Sequence, residues 1–207
     1  MKRAISSSLL GIVTSAMTVA PCSGQGFISF ANYGASTYSI VTYAASNVPV
    51  GKAGLAIGPG FSASLYYGLG DVSDPNALTL LGGNTGFPRP YPTPFSGSSD
   101  GDTNNLAGFF IGPNVAIPDY TVGPVTFKVV AWANSGPYGG TSYDTASLRG
   151  ASTLFTLPSI AVGAAPVGEF GPSLLPFTVQ IVPEPSTLAL VGFGGLALLA
   201  FGRRSRR

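Results

Sequence analysis

The chain has 207 residues, with ten Lys and Arg against eight Asp and Glu, no His and a single Cys, Cys22. Without imidazole, Ser-His-Asp and Cys-His catalysis and His-bound zinc or iron are excluded, and one Cys excludes internal disulfides and Cys-ligated clusters. The formal charge of +2 comes from the two ends: between Gln25 and Val182 only Lys52, Arg89, Lys128 and Arg149 face seven acids, a net of −3, so nucleic acid, which is held by clustered Lys and Arg, is not an expected partner.

Lys2 and Arg3 precede an apolar stretch, residues 4–19, broken only by Ser and Thr. This is the layout of a secretory signal peptide, which makes the secretion machinery and signal peptidase the first partners. Cys22 and Gly24 are the small residues read before cleavage at Gln25, so the signal covers residues 1–24. Two alternatives stand beside it: lipidation of Cys22, which Pro21 disfavours, and an uncleaved N-terminal anchor. The 158 residues 25–182 form one expected domain, and a chain of that size buries about 68–70% of its unfolded surface without needing disulfides.

High apolar content, low charge and abundant Gly and Pro in this segment predict many short strands joined by turns. Residues 61–67 alternate, with Phe61, Ala63, Leu65 and Tyr67 on one face, and residues 68–75 supply the turn. Residues 125–133 alternate as well, placing Val125, Phe127, Val129, Ala131 and Ala133 together and opposite Lys128; Asn134-Ser135-Gly136-Pro137 ends this central strand. Weaker strands are expected at residues 26–32, 39–44, 77–81, 108–112, 152–157 and 177–182. Residues 82–105 read as a long loop with short extended pieces around 87–95, residues 143–148 as at most a helical turn, and residues 158–176 as a loop crossing a sheet edge. The fold class is therefore all-β: an antiparallel β-sandwich, jelly-roll or immunoglobulin-like, flanked by an N-terminal signal helix and a C-terminal transmembrane helix.

The tail, residues 183–207, has three parts. Pro183, Glu184 and Pro185 hold the chain extended, because proline cannot continue a helix without losing backbone hydrogen bonds. An apolar span follows within residues 186–202, and Arg203, Arg204, Arg206 and Arg207 stop it on the cytoplasmic side of the inner membrane. The sixteen residues 187–202 make a helix of about 24 Å, short of a hydrocarbon core of about 30 Å. Gly192, Gly194 and Gly195 weaken it further.

In order and spacing this tail resembles the PEP-CTERM sorting signal of Gram-negative, biofilm-forming bacteria. The resemblance implies that Pro183-Glu184-Pro185 is recognised by an exosortase, a processing enzyme of Cys-based chemistry, and that the catalytic residues belong to that partner. Within residues 25–182, Gln-Gly-x-Ile-x-Phe-x-Asn from Gln25, Leu65-Tyr66-Tyr67-Gly68, Val-x-Phe-x-Val-x-Ala-Trp ending at Trp132, Ser142-Tyr143-Asp144 and Gly150-Ala151-Ser152 resemble exported proteins with the same tail. That second resemblance brings no activity with it.

Three side-chain sets bear on function. Asp100, Asp102 and Asn104 alternate on a tight loop and could face a calcium ion. The sixth position of that loop, however, is Asn105 where an EF-hand needs glycine, and the twelfth is Ile111 where it needs an acid; a solvated Asx turn is the plainer reading, and no metal or cofactor is expected. Asp71, Asp74, Asp100, Asp102, Asp119, Asp144 and Glu169 could pair for glycoside hydrolysis, but they sit at turns or strand ends, where Asp is ordinary. Trp132 and nine tyrosines could form a sugar-stacking surface, although Trp132, on the strongest strand, reads as core and Tyr91 as a loop aromatic. The expected function is a non-enzymatic surface or matrix protein sorted through its tail. The alternatives are a carbohydrate-binding module contacting exopolysaccharide and, behind it, a hydrolase with two facing carboxylates.

Overall fold

The computed structural model describes residues 25–34, 38–82, 92–163 and 167–183. Among them eleven strands run in chain order: β1 (Gly26–Ala31), β2 (Val41–Tyr43), β3 (Phe61–Leu69), β4 (Thr79–Leu80), β5 (Thr93–Pro94), β6 (Ile111–Ile117), β7 (Val125–Ala133), β8 (Leu148–Ala151), β9 (Phe155–Leu157), β10 (Ala161–Val162) and β11 (Phe177–Ile181). Helix in the described residues is limited to 3-10 turns at Pro75–Ala77, Thr103–Asn105 and Gly171–Ser173. The protein is all-β there. The signal helix and the transmembrane helix expected at the two ends lie outside the described residues, among which no helix is long and apolar enough to cross a membrane.

One sheet has the order β10-β1-β6; the other runs β2-β11-β8-β7-β3-β4, with β5 also on β3 and β9 also on β7. Every pairing between strands is antiparallel except β11 with β2. The central ladder joins β3 to β7 from Phe61↔Ala133 to Leu69↔Val125. Its inner face is the alternating set read from the sequence: Phe61, Ala63 and Leu65 on β3, and Val125, Phe127, Val129, Ala131 and Ala133 on β7, all in one core cluster. Ile28 and Phe30 of β1 and Val115 and Ile117 of β6 belong to that cluster, so the two sheets share one interior. Phe170 joins them: its ring lies 6.1 Å from Phe30, 5.8 Å from Phe127 and 5.3 Å from Phe155, within the range where aromatic pairs attract.

Several expected boundaries move, each for a physical reason. The strand expected at 108–112 begins at Ile111 and runs to Ile117, because Gly108 has φ +84° and turns the chain instead of extending it. Pro113 is tolerated inside it because β6 is a sheet edge and the β1–β6 register shifts between Ser29 and Ala31. The strand expected at 152–157 starts earlier, at Leu148, and is interrupted. Ser152 donates its N–H to the Val129 carbonyl (2.8 Å) and accepts the Val129 N–H on Oγ (3.0 Å), so its side chain replaces a ladder bond between β8 and β9. Of residues 77–81, only Thr79–Leu80 is strand, since Asp74 caps the 3-10 turn before it through the Asn76 N–H. The loop of residues 158–176 carries β10 and sends Ile160, Phe170 and Leu174 into the core, a contribution its Gly and Pro content concealed.

Two buried polar residues close gaps that strands leave. Asn32 donates from Nδ2 to the carbonyls of Ser39 (2.6 Å) and Gly108 (3.0 Å) and accepts the Phe110 N–H on Oδ1 (2.7 Å). Thr126 donates to the Gly70 carbonyl (2.8 Å), accepts the Val72 N–H (2.9 Å) and meets Thr156 Oγ1 (2.9 Å). At Gly150 a Cβ would collide with the Thr178 carbonyl of β11, so only glycine lets β8 approach there.

Phe127 is fully buried, so Phe127→Ala is expected to cost about 3–5 kcal/mol in urea unfolding; a loss below about 1 kcal/mol would contradict the face assignment. Asn32→Ala should leave the Ser39 carbonyl and the Phe110 N–H without their partner, at roughly 1–3 kcal/mol for each that water cannot reach, whereas the Gly108 carbonyl keeps the Val41 N–H; the same unfolding experiment reads it.

Candidate functional site

Because successive side chains on a strand alternate faces, the register that buries Phe127 turns Val130 and Trp132 of β7 and Ser64 and Tyr66 of β3 to the opposite face. There they do not reach the main core. Val130, Trp132 and Ala146 form a separate small cluster, with Tyr66, Tyr143 and Ala151 packed on it. Trp132 is thus buried, at 4% exposure, but in this outer cluster and not in the interior expected from its strand.

A cleft of about 280 Å³ opens over the cluster. Tyr66, Val130 and Trp132 line it from the sheet, Leu80, Leu81 and Gly82 from the end of β4, and Pro92 from the start of β5. Its far wall is Thr141, Ser142, Tyr143 and Asp144, a turn in which the Ser142 carbonyl accepts the N–H groups of Thr145 (3.3 Å) and Ala146 (3.1 Å). Where the sequence allowed at most a helical turn over residues 143–148, the structure has this hydrogen-bonded turn, and Leu148 already begins β8.

Both tyrosines are held by cations. Lys128 Nζ lies 5.0 Å from the Tyr66 ring centre and Arg149 Cζ 5.1 Å from that of Tyr143, close enough for attraction to the ring face. Arg149 also donates to the Tyr143 carbonyl (2.8 Å) and stands 3.9 Å from Asp144, whose side chain is 83% exposed. Burial and then the Asp144 charge push the Tyr66 hydroxyl above its ordinary range, with a smaller push from Tyr143. Burial also raises Tyr143, where Arg149 pulls down and Asp144 pushes up. Both hydroxyls therefore remain neutral donors near pH 7.

The calcium-like stretch is divided between two networks. Asp100 faces inward: Lys52 Nζ lies 2.8 Å from Oδ2, the Tyr43 hydroxyl donates to Oδ2 (2.9 Å), and the Gly58 N–H donates to Oδ1 (2.7 Å). Asp102 instead accepts from Ser98 Oγ and from Asn105 Nδ2 (2.7 Å), while Asn104 is exposed on the 3-10 turn. The two carboxylates do not converge, and among the described residues no three His, Cys, Asp or Glu side chains gather as a metal site would need. Asp71 meets Thr156 Oγ1 (3.2 Å) and Asp74 caps its turn. Tyr91, Arg89, Glu184, Pro185 and the four tail arginines lie outside the described residues.

Burial alone would raise the Asp100 carboxyl; the bonds from Lys52, Gly58 and Tyr43 and the Lys52 charge overcome it and hold the carboxyl below its ordinary value. A depressed acid stabilises fully above its unfolded value and loses that contribution as pH falls through the folded one. Melting of the wild-type protein should therefore weaken more steeply on acidification below about pH 4 than melting of Asp100→Asn, and equal slopes would deny Asp100 this role.

At the C-terminal end of the sheet, Ile181 donates its N–H to Asn47 (2.6 Å) and Val182 to Ser147 (2.7 Å). Pro183, which has no N–H to give, is exposed beyond them. From this point the chain matches a known family model: residues 182–207 fit the PEP-CTERM protein-sorting motif. No curated protein and no solved structure matches the chain. Residues 182–207 are thus a PEP-CTERM sorting motif, which supports an exported protein sorted by an exosortase through a membrane-anchored signal.

Proposed function

We propose that the protein is a non-enzymatic component of the cell surface or extracellular matrix, delivered by removal of its tail. The sorting motif at residues 182–207 carries this reading. The division into a signal at 1–24, an exported β-sandwich at 25–182 and a tail at 183–207 is supported by the bond from Val182 to Ser147 beside an exposed Pro183, and by the core that both sheets share. A role without catalysis is supported by the use of the acids: Asp74 caps a turn, Asp100 ties Lys52 and Tyr43, and Asp144 faces Arg149. A second reading, a carbohydrate-binding module in contact with exopolysaccharide, is favoured by the outer cleft, where two tyrosines and a tryptophan meet hydroxyl side chains.

In a host that carries the matching exosortase, mass spectrometry of the mature protein should find its C-terminus close to Pro183-Glu184-Pro185. Pro183→Ala combined with Pro185→Ala should leave the full-length form in the inner membrane. Recovery of intact Arg207 from the wild-type surface fraction would sink the processing step and leave a permanently anchored protein.

A further inference from the structure

We propose that the outer-face cleft is a saccharide site that seats one or two neutral pyranose units with their C–H faces against Tyr66 and Tyr143, above Trp132. The proposal rests on the carbohydrate-binding reading and gives it a place and a ligand class.

The lining sets the chemistry. A pyranose ring presents an apolar C–H face and a rim of hydroxyls, and the lining holds both counterparts: the aromatic rings with Leu80 and Val130, and the hydroxyls of Ser64, Thr141 and Ser142. Pockets of this kind pair an apolar lining with a few convergent polar groups. Size points to a small ligand, since about 280 Å³ lies just below the roughly 300–1,000 Å³ that hold drug-sized ligands. The site therefore suits one or two rings.

Charge selects a neutral ligand. Asp144 lines the cleft, whereas Lys128 and Arg149, which hold the two tyrosines, do not. An acidic sugar would bring its carboxylate towards the exposed Asp144 charge, which Arg149 at 3.9 Å offsets only in part. Preorganisation supports binding as well: Tyr66 is fixed on the central ladder opposite Lys128, and Tyr143 is fixed by Arg149. Rings already held lose little freedom when a ligand arrives.

Trp132 is the one tryptophan of the chain, so its emission reports this site alone. The full-length protein in a zwitterionic detergent, which carries no sugar, would be titrated with cellohexaose, mannohexaose and an oligogalacturonate, and screened on a glycan array. A neutral glycan should shift Trp132 emission saturably. Tyr143→Ala, on an exposed turn, should weaken binding by about tenfold, the loss of roughly one stacking contact, and Tyr143→Phe should keep it. Binding that leaves Trp132 emission unmoved and survives Tyr143→Ala would overturn this site while the carbohydrate reading stands. Binding of the oligogalacturonate alone would overturn the neutral assignment. Failure to bind any glycan on the array would overturn both.

Discussion

The register of β3 against β7 is the constraint on which the rest of the structure depends. Nine residues on each strand pair without a shift, and a strand has a period of two, so one choice decides two surfaces at once. The inner set, Phe61, Leu65, Phe127 and Val129, meets the opposing sheet. The outer set, Ser64, Tyr66, Val130 and Trp132, becomes the floor of the cleft. A slip of one residue would send Trp132 inward and Phe127 out to solvent, so core and candidate site are specified by the same pairing. This also accounts for a strand that is apolar on both faces: β7 is buried in the interior on one side and under the 141–146 turn on the other.

A fold without disulfides in the described residues is closed by side chains that stand in for missing ladder bonds. Asn32, Thr126 and Ser152 each bond backbone groups where strands bend or break. Their polar atoms replace water at sites that burial would otherwise penalise, since an unpaired buried group costs more than a made bond returns. The Phe30, Phe127, Phe155 and Phe170 rings do the apolar counterpart, bringing three strands and the 158–176 loop to one place.

Much of this was legible in the residues. The two long alternating strands were visible because their period is two and their turns are rich in Gly, Pro and Asn, and the tail was visible because prolines, an apolar span and arginines occur in order. What local pattern could not show was contact between distant segments. Tyr66, Trp132 and Ala151 belong to separate stretches that stand out singly, and only the β3-β7-β8 pairing brings them to one face, where Tyr143 packs on the same cluster. Asp100 and Asp102 failed as a unit for the same reason: two residues apart in sequence, they turn to different partners, one of them Lys52 on a loop before β3. The placement of β6 was obscured by Pro113, which an edge strand tolerates and an inner strand would not.

The place where the tail departs has a mechanical side. β11 leads directly into Pro183, and it lies between β2, in parallel, and β8, antiparallel, not at the margin of its sheet. A pull directed along β11 through an anchored tail is shared by both ladders and loads their hydrogen bonds in shear, together instead of one after another. The tail thus departs from a strand held on both sides, where tension on the signal before processing is borne by several hydrogen bonds at once.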